Sequence, residues 1–167
     1  HSSFHIPESH DLVVTLGLTD GSQQQIYVAK RPGVDEFLAR MSELFELVIF
    51  TASLAHYADP VIDFLTKGMN NHLKEPKEIK LRLYRESCLF LRGLYVKDLS
   101  RLGRKLEHTV IVDNSPASFL LQPEHGIPIK SWCSDVNDRE LAVLHESLLH
   151  LVDSESVYEW RSKLLWP

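Results

Sequence analysis

The sequence predicts a three-layer α/β fold in which helices cover both faces of a mainly parallel sheet, and three observations carry the prediction. The run Thr109-Val110-Ile111-Val112 is rich in β-branched residues and stops at once in Asp113-Asn114-Ser115-Pro116. Leu47-Val48-Ile49-Phe50 repeats the pattern and stops in Thr51-Ala52-Ser53. Apolar stripes at helical spacing run from Val34 to Phe45 and from Leu141 to Val152. Short apolar runs bounded by turn residues read as strands buried on both faces, which are usually parallel. Helices interspersed with such strands give layered α/β folds. Ligands of open parallel sheets bind beyond the carboxyl ends of the strands, so the two polar strand ends are where a site is expected.

The elements follow in order. His1 to His10 is polar and carries no clear period. Leu12 to Leu18 and Ile26 to Ala29 flank the turn Thr19-Asp20-Gly21-Ser22 and predict a β-hairpin standing beside the site. Pro32-Gly33 breaks the chain before an amphipathic helix, with Asp35 and Glu36 in its first turn and Phe37, Leu38, Met41 and Leu44 on its stripe. After the strand ending at Phe50, a helix from about Ser53 is expected to reach Leu65, with Pro60 at a kink or a fresh first turn. Gly68 to Lys80 has no period and reads as a surface loop or insertion. Leu81 to Phe90 holds short strand-like pieces interrupted by Arg85-Glu86, and Tyr95 to Leu99 carries Lys97 at the end of another apolar segment. Ile127-Pro128-Ile129 fits an edge strand, because proline cannot donate to a central ladder. Asp138 is placed to cap a helix striped by Leu141, Leu144, Leu148, Leu151 and Val152, and Val157 to Trp166 closes the chain.

Composition narrows the function classes. The 167 residues suit one domain with a full core. At 44% hydrophobic and 25% charged, the chain is ordinary globular protein. A net charge of -5 argues against direct nucleic-acid binding through bulk electrostatics. Cys88 and Cys133 lie far apart without metal-ligand spacing, which indicates neither a disulfide framework nor a zinc site and suggests a reducing, intracellular setting, nuclear or cytoplasmic. No apolar run approaches the roughly 20 residues that span a bilayer, so no membrane segment lies in the chain, and an upstream anchor stays open. The nine histidines are scattered singly, and His145 and His150 are five apart and do not share a helix face.

The chemistry concentrates at the two strand ends. Asp113 and Asn114 offer hard oxygens, and a carboxylate beside an amide carbonyl suits Mg²⁺ holding a phosphate. The Thr51 and Ser53 hydroxyls, with the backbone N–H groups of the helix that starts there, would face an anion. Lys97 could neutralise developing phosphate charge.

The ordered set Phe50-Thr51-Ala52-Ser53, Val96-Lys97-Asp98-Leu99-Ser100 and Val112-Asp113-Asn114-Ser115-Pro116 is far more specific than any member alone. It resembles the small C-terminal-domain phosphatases, including dullard-like and NLI-interacting-factor-like members, of the haloacid dehalogenase superfamily. The likeness continues through His1-Ser2-Ser3, Lys30-Arg31-Pro32, Tyr57-Ala58-Asp59, Arg85-Glu86-Ser87-Cys88 and Ile129-Lys130-Ser131-Trp132, covering nearly the whole chain. The resemblance implies a Rossmann-like domain and a Mg²⁺-dependent protein-serine phosphatase acting through an aspartyl-phosphate. Its substrates would be phosphoserine peptides such as the C-terminal repeat of RNA polymerase II, and it would act as a monomer. It implies that Thr51 bonds the phosphate, Lys97 neutralises it, and Asn114 ligates Mg²⁺ with Asp113 ordering the ion's surroundings. Arg85 and Tyr57 become substrate contacts. Phe4, Leu16, Leu18 and Ile26, with Leu54, become an apolar pocket for a residue flanking the phosphoserine.

One departure stands out. The nucleophile of this family lies in Asp-x-Asp-x-Thr, whose first Asp attacks phosphorus and whose second acts as acid and base. That motif comes just before the residues matching His1-Ser2-Ser3, and none occurs within the 167 residues. The expectation is therefore a single phosphatase-like domain whose catalytic strand, normally flanked by those ending at Phe50 and Val112, lies upstream. The chain as it stands would then be inactive. Two alternatives remain: a phosphopeptide-binding adaptor without the nucleophile, and a small-molecule phosphatase or phosphotransferase on the same fold.

Overall fold

In the computed structural model, residues 2–3 and 9–163 are described. Thirteen regular elements follow in order: β1 (Ser2–Ser3), β2 (Leu12–Gly17), β3 (Gln23–Val28), α1 (Val34–Leu44), β4 (Val48–Phe50), α2 (Ala55–Asn70), β5 (Leu81–Leu83), β6 (Leu89–Leu91), β7 (Leu94–Val96), β8 (Ile111–Asp113), β9 (Gly126–Pro128), α3 (Glu140–Val152) and α4 (Val157–Lys163). The fold is α/β, and among the described residues parallel pairing is confined to β4 with β5 and β8 with β9. The remaining pairs are antiparallel: β1 and β2 both flank β3, and β6 pairs with β7.

Strand pairing departs from the expected single sheet. Among the described residues, β4 and β8 are each hydrogen-bonded along one edge only. Val112, expected in a strand buried on both faces, is 37% exposed because β8 has no second neighbour among those residues to complete its cover. The strand also starts two residues later than the apolar run, since Leu106–His108 forms a 3₁₀ turn whose last bond holds Thr109.

Two clusters of buried apolar side chains among the described residues are joined by α1. One face of α1 sends Met41 against Ile127, Leu144, Leu148, Val157 and Trp160, with Leu141 and Leu151 packed alongside. Its other face places Ala39 with Met69 and Ile79, backed by Leu47 and Ile49. Met41 and Met69 are fully buried, each contributing roughly 1.5–3 kcal/mol by leaving water. The strands ending at Thr51 and Asp113 are thus anchored from beneath.

Three local expectations need correction. Helix α2 runs on to Asn70, so Gly68 and Met69 belong to a helix and not to a loop; Met69 is pulled into the core and Gly68 lets the helix approach Asp35. Pro60 sits inside this helix, past its first turn, on an exposed position. Arg139, not Asp138, is the N-cap of α3, because the Asp138 carboxylate is held by Arg31 and only its Oδ1 reaches Glu140 N, at 3.3 Å.

Candidate active site

The end of β4 supplies the first wall. Thr51 N donates to Leu83 O at 2.8 Å, continuing the β4–β5 ladder, and Ser53 N donates to Thr51 Oγ1 at 3.0 Å. That bond uses Thr51 Oγ1 as acceptor, leaving the hydroxyl proton free to donate. Leu54 then caps α2 with extended backbone, and Tyr57 N donates to Leu54 O in the first turn.

The end of β8 supplies the second wall, and Lys97 joins the two. Lys97 is 7% exposed; its Nζ donates to Asp113 Oδ2 at 2.5 Å and lies 6.0 Å from the Phe50 ring centroid. Composition favours a solvated lysine, yet this one is interior because β7 leads straight into it and Lys97 N donates to Ser118 O. Asp113 Oδ1 accepts from Ser115 N at 2.8 Å, so both carboxylate oxygens are engaged. Asn114 Nδ2 donates to Ser131 Oγ at 2.9 Å. Thr51 thus follows β4, and Asp113 and Asn114 stand at the end of β8, the carboxyl ends of two parallel pairs, while Lys97, just after β7, reaches Asp113 and the Phe50 ring.

Arg85 and Cys88 line the same region. Arg85 Nε donates to Ala52 O at 2.7 Å and its guanidinium lies 5.3 Å from the Tyr95 ring centroid. Cys88, which the sequence offers only as a thiol without a partner, has its Sγ 3.8 Å from Thr51 O. Burial pushes the Cys88 thiol up, keeping it protonated. The loop bearing both is fixed by Tyr84, whose hydroxyl donates to Asp59 Oδ1 at 2.5 Å, while Arg82 Nη1 donates to the same oxygen at 2.9 Å. These bonds, Tyr84 foremost, hold Asp59 below the usual carboxylate range.

The residues expected to form an apolar pocket differ in burial. Phe4 lies outside the described residues. Leu18 and Leu54 are 43% and 41% exposed, Leu16 is half-buried, and Ile26 is buried opposite Val14 in the β2–β3 ladder. Helix α2 packs on β2, which brings the hairpin to the element that Leu54 caps.

The donors suit a magnesium ion in kind but not in number. Asn114 Oδ1 is a hard oxygen without a hydrogen-bond partner among the described residues, whereas Asp113 is committed to Lys97 and Ser115. Those residues contain no group of three or more His, Cys, Asp or Glu side chains that could hold a metal. His125 is buried, with Nδ1 2.9 Å from Thr109 O and Nε2 3.2 Å from the Tyr158 hydroxyl.

A family model described as NLI interacting factor-like phosphatase matches residues 1–158. The chain belongs to this phosphatase family. It is 49% identical over 168 residues to the human carboxy-terminal domain RNA polymerase II polypeptide A small phosphatase 2, covering 100% of this chain and 58% of that protein. It is 50% identical over 158 residues to Phosphatase Herzog of Drosophila melanogaster, covering 95% of this chain and 42% of that one. The chain thus spans about half the length of these curated relatives. Among solved structures, the fission yeast RNA polymerase II CTD phosphatase Fcp1 matches with a TM-score of 0.58 at 17% identity, over 91% of this chain and 43% of that one, a likeness of fold.

Proposed function

We propose that this domain belongs to a Mg²⁺-dependent protein-serine phosphatase acting on phosphoserine peptides, with the C-terminal domain of RNA polymerase II as the model substrate. The observation that carries the reading is the meeting of the Lys97 ammonium with the Asp113 carboxylate, beside Phe50 and the Thr51 turn. Phosphoryl transfer depends mostly on positioning and charge neutralisation. Thr51 would donate its hydroxyl proton to a phosphate oxygen, and Lys97 would offset the charge on the transferring group. Asp113 would hold the lysine, and Asn114 Oδ1 would ligate the metal. When bound, Mg²⁺ would supply a further positive charge against the phosphate. The attacking carboxylate and the acid–base carboxylate would come from an upstream Asp-x-Asp-x-Thr, forming and then losing an aspartyl-phosphate.

Substrate choice would rest on the side of the site bearing Leu54 and the β2–β3 hairpin. Leu18 and Leu54 are exposed apolar groups. Tyr57, in the first turn of α2, and Arg85, which bonds Ala52 O, would contact the peptide. Phe4, Leu16 and an edge of Ile26 would complete a pocket for a flanking residue. We place the enzyme in a nuclear or cytoplasmic setting as a monomer. The adaptor reading is favoured by one observation, that these 167 residues contain no Asp-x-Asp-x-Thr.

The test is hydrolysis of a phosphoserine peptide, with and without Mg²⁺, by protein that includes upstream sequence. Leu54→Asp should lower kcat/KM on the peptide by about tenfold or more, as loss of an interface anchor does, while leaving a small aryl phosphate unaffected. Equal losses on both substrates would remove the pocket from the reading. Tight phosphopeptide binding without turnover would favour the adaptor.

A further inference from the structure

We infer that Phe90 and Tyr95, on the β6–β7 hairpin, form a subsite for an aromatic side chain of the phosphopeptide, separate from the pocket proposed around Leu54. The inference rests on the phosphatase reading and deepens it by a second determinant of substrate choice. Phe90 stands opposite Tyr95 in the β6–β7 ladder, so both side chains project from one face of the hairpin, with ring centroids 5.1 Å apart. Lys97 follows Tyr95 by two residues, and strand alternation turns it to that same face. The contacts agree: Lys97 Nζ lies 6.0 Å from the Phe50 ring centroid, and the Tyr95 ring carries the Arg85 guanidinium, whose Nε donates to Ala52 O. Exposure rises along this row, from buried Lys97 to Tyr95 at 36% and Phe90 at 64%. The face that begins at the phosphate-handling lysine thus leads outward over two aromatic rings.

The hairpin presents these rings in a fixed position. Strands β6 and β7 are joined by Arg92 and Gly93 alone, both with left-handed backbone (φ 49° and 84°), the two-residue turn whose twist suits paired strands. One foot of the hairpin is Cys88, with its Sγ 3.8 Å from Thr51 O, and the other is Lys97, whose N donates to Ser118 O. Leu91 and Leu94 are exposed as well, but they share the opposite face with buried Val96. Exposed apolar groups clustered beside a binding site mark a contact surface. What exposed rings favour is another ring, set edge-on or offset. Charge fits the same occupant. Arg85 makes no ion pair among the described residues, so its cation is left to a peptide that brings phosphate to a chain of net charge -5. The Leu54 pocket draws on other elements, since β2 packs on α2 whereas β7 packs on the 3₁₀ turn Pro116–Phe119.

The experiment measures kcat/KM on phosphoserine peptides with alanine flanks, in which a single phenylalanine is walked through the positions on either side of the phosphoserine. Protein that includes upstream sequence is compared as wild type, Phe90→Ser, Leu94→Ser and Leu54→Ala. Wild type should prefer phenylalanine to alanine at one position by about tenfold, the size of a ring contact with its burial. Phe90→Ser should lose that preference. Leu94→Ser, on the other face of the same hairpin, should keep it, and so should Leu54→Ala. A flat profile in wild type, an undiminished preference in Phe90→Ser, or an equal loss in Leu94→Ser or Leu54→Ala overturns the inference while leaving the phosphatase reading intact. A wild type that hydrolyses neither these peptides nor the polymerase repeat overturns both.

Discussion

Lys97 and Asp113 form the most consequential pair at the scale of single residues. With side chains only 9% and 11% exposed, neither charge can be left alone cheaply. Removing one partner of such a pair costs about 3–5 kcal/mol, whereas replacing both by neutral groups is often close to neutral. Lys97→Met should therefore lose stability by that amount in denaturant titration. Lys97→Met combined with Asp113→Leu should recover most of it, yet remain without phosphatase activity; recovery of turnover by the double variant would separate the pair from catalysis. Thr51 calls for a milder test. Thr51→Val removes the hydroxyl proposed to bond the phosphate and should lower kcat about 10²–10³-fold, while Thr51→Ser stays near wild type. At this scale the sequence is only partly legible. Thr51, Asp113 and Asn114 announce themselves by following apolar strands. Lys97 also ends an apolar segment, but its burial is not legible, because it depends on a carboxylate 16 residues away. Cys88 and Ser131 enter the sequence reading only as members of longer motifs, since their contacts with Thr51 and Asn114 arise only in the folded chain.

Close approaches and a clamp govern stability at the scale of elements. A Cβ on Gly126 would lie 2.1 Å from the buried Phe119 ring, in the strand that pairs with β8. Gly126→Ala should cost about 1–3 kcal/mol by overpacking, seen as a lower melting temperature, and should disturb the site through β8. The Arg31–Asp138 clamp, which ties the approach to α1 to the start of α3, predicts a pH dependence. Its hydrogen bonds hold the Asp138 carboxyl below the usual carboxylate range. The folded state thus favours the ionised form. The resulting stabilisation is present in full above the unfolded value of about 3.9 and is lost as pH falls through the lower native value. Melting temperatures followed from pH 5 to pH 3 should fall, and Arg31→Met should flatten that acid limb; an unchanged slope would show the clamp to be energetically idle. Element boundaries were harder to read than element types. Helix α2 overruns its expected end because Met69 finds a core formed by residues from three other segments, which no local pattern encodes.

For the molecule as a whole, the α/β class is legible because apolar runs ending in polar groups can be built in few ways. The pairing is not, since which strands become neighbours is decided by long-range contacts: β4 takes β5 and β8 takes β9, each along one edge among the described residues. The family likewise follows from three short motifs in a fixed order, which the match over residues 1–158 bears out. The central claim is that these residues assemble the phosphate-handling side of a phosphatase whose attacking carboxylate lies elsewhere. Mg²⁺-dependent turnover of one phosphoserine peptide, measured side by side for this chain and for a version extended upstream, tests it most directly. The account predicts hydrolysis by the extended protein and no useful rate from the 167 residues alone. Robust turnover by the unextended chain would mean that a residue within it is the nucleophile, and would contradict the roles given to Thr51, Lys97 and Asn114.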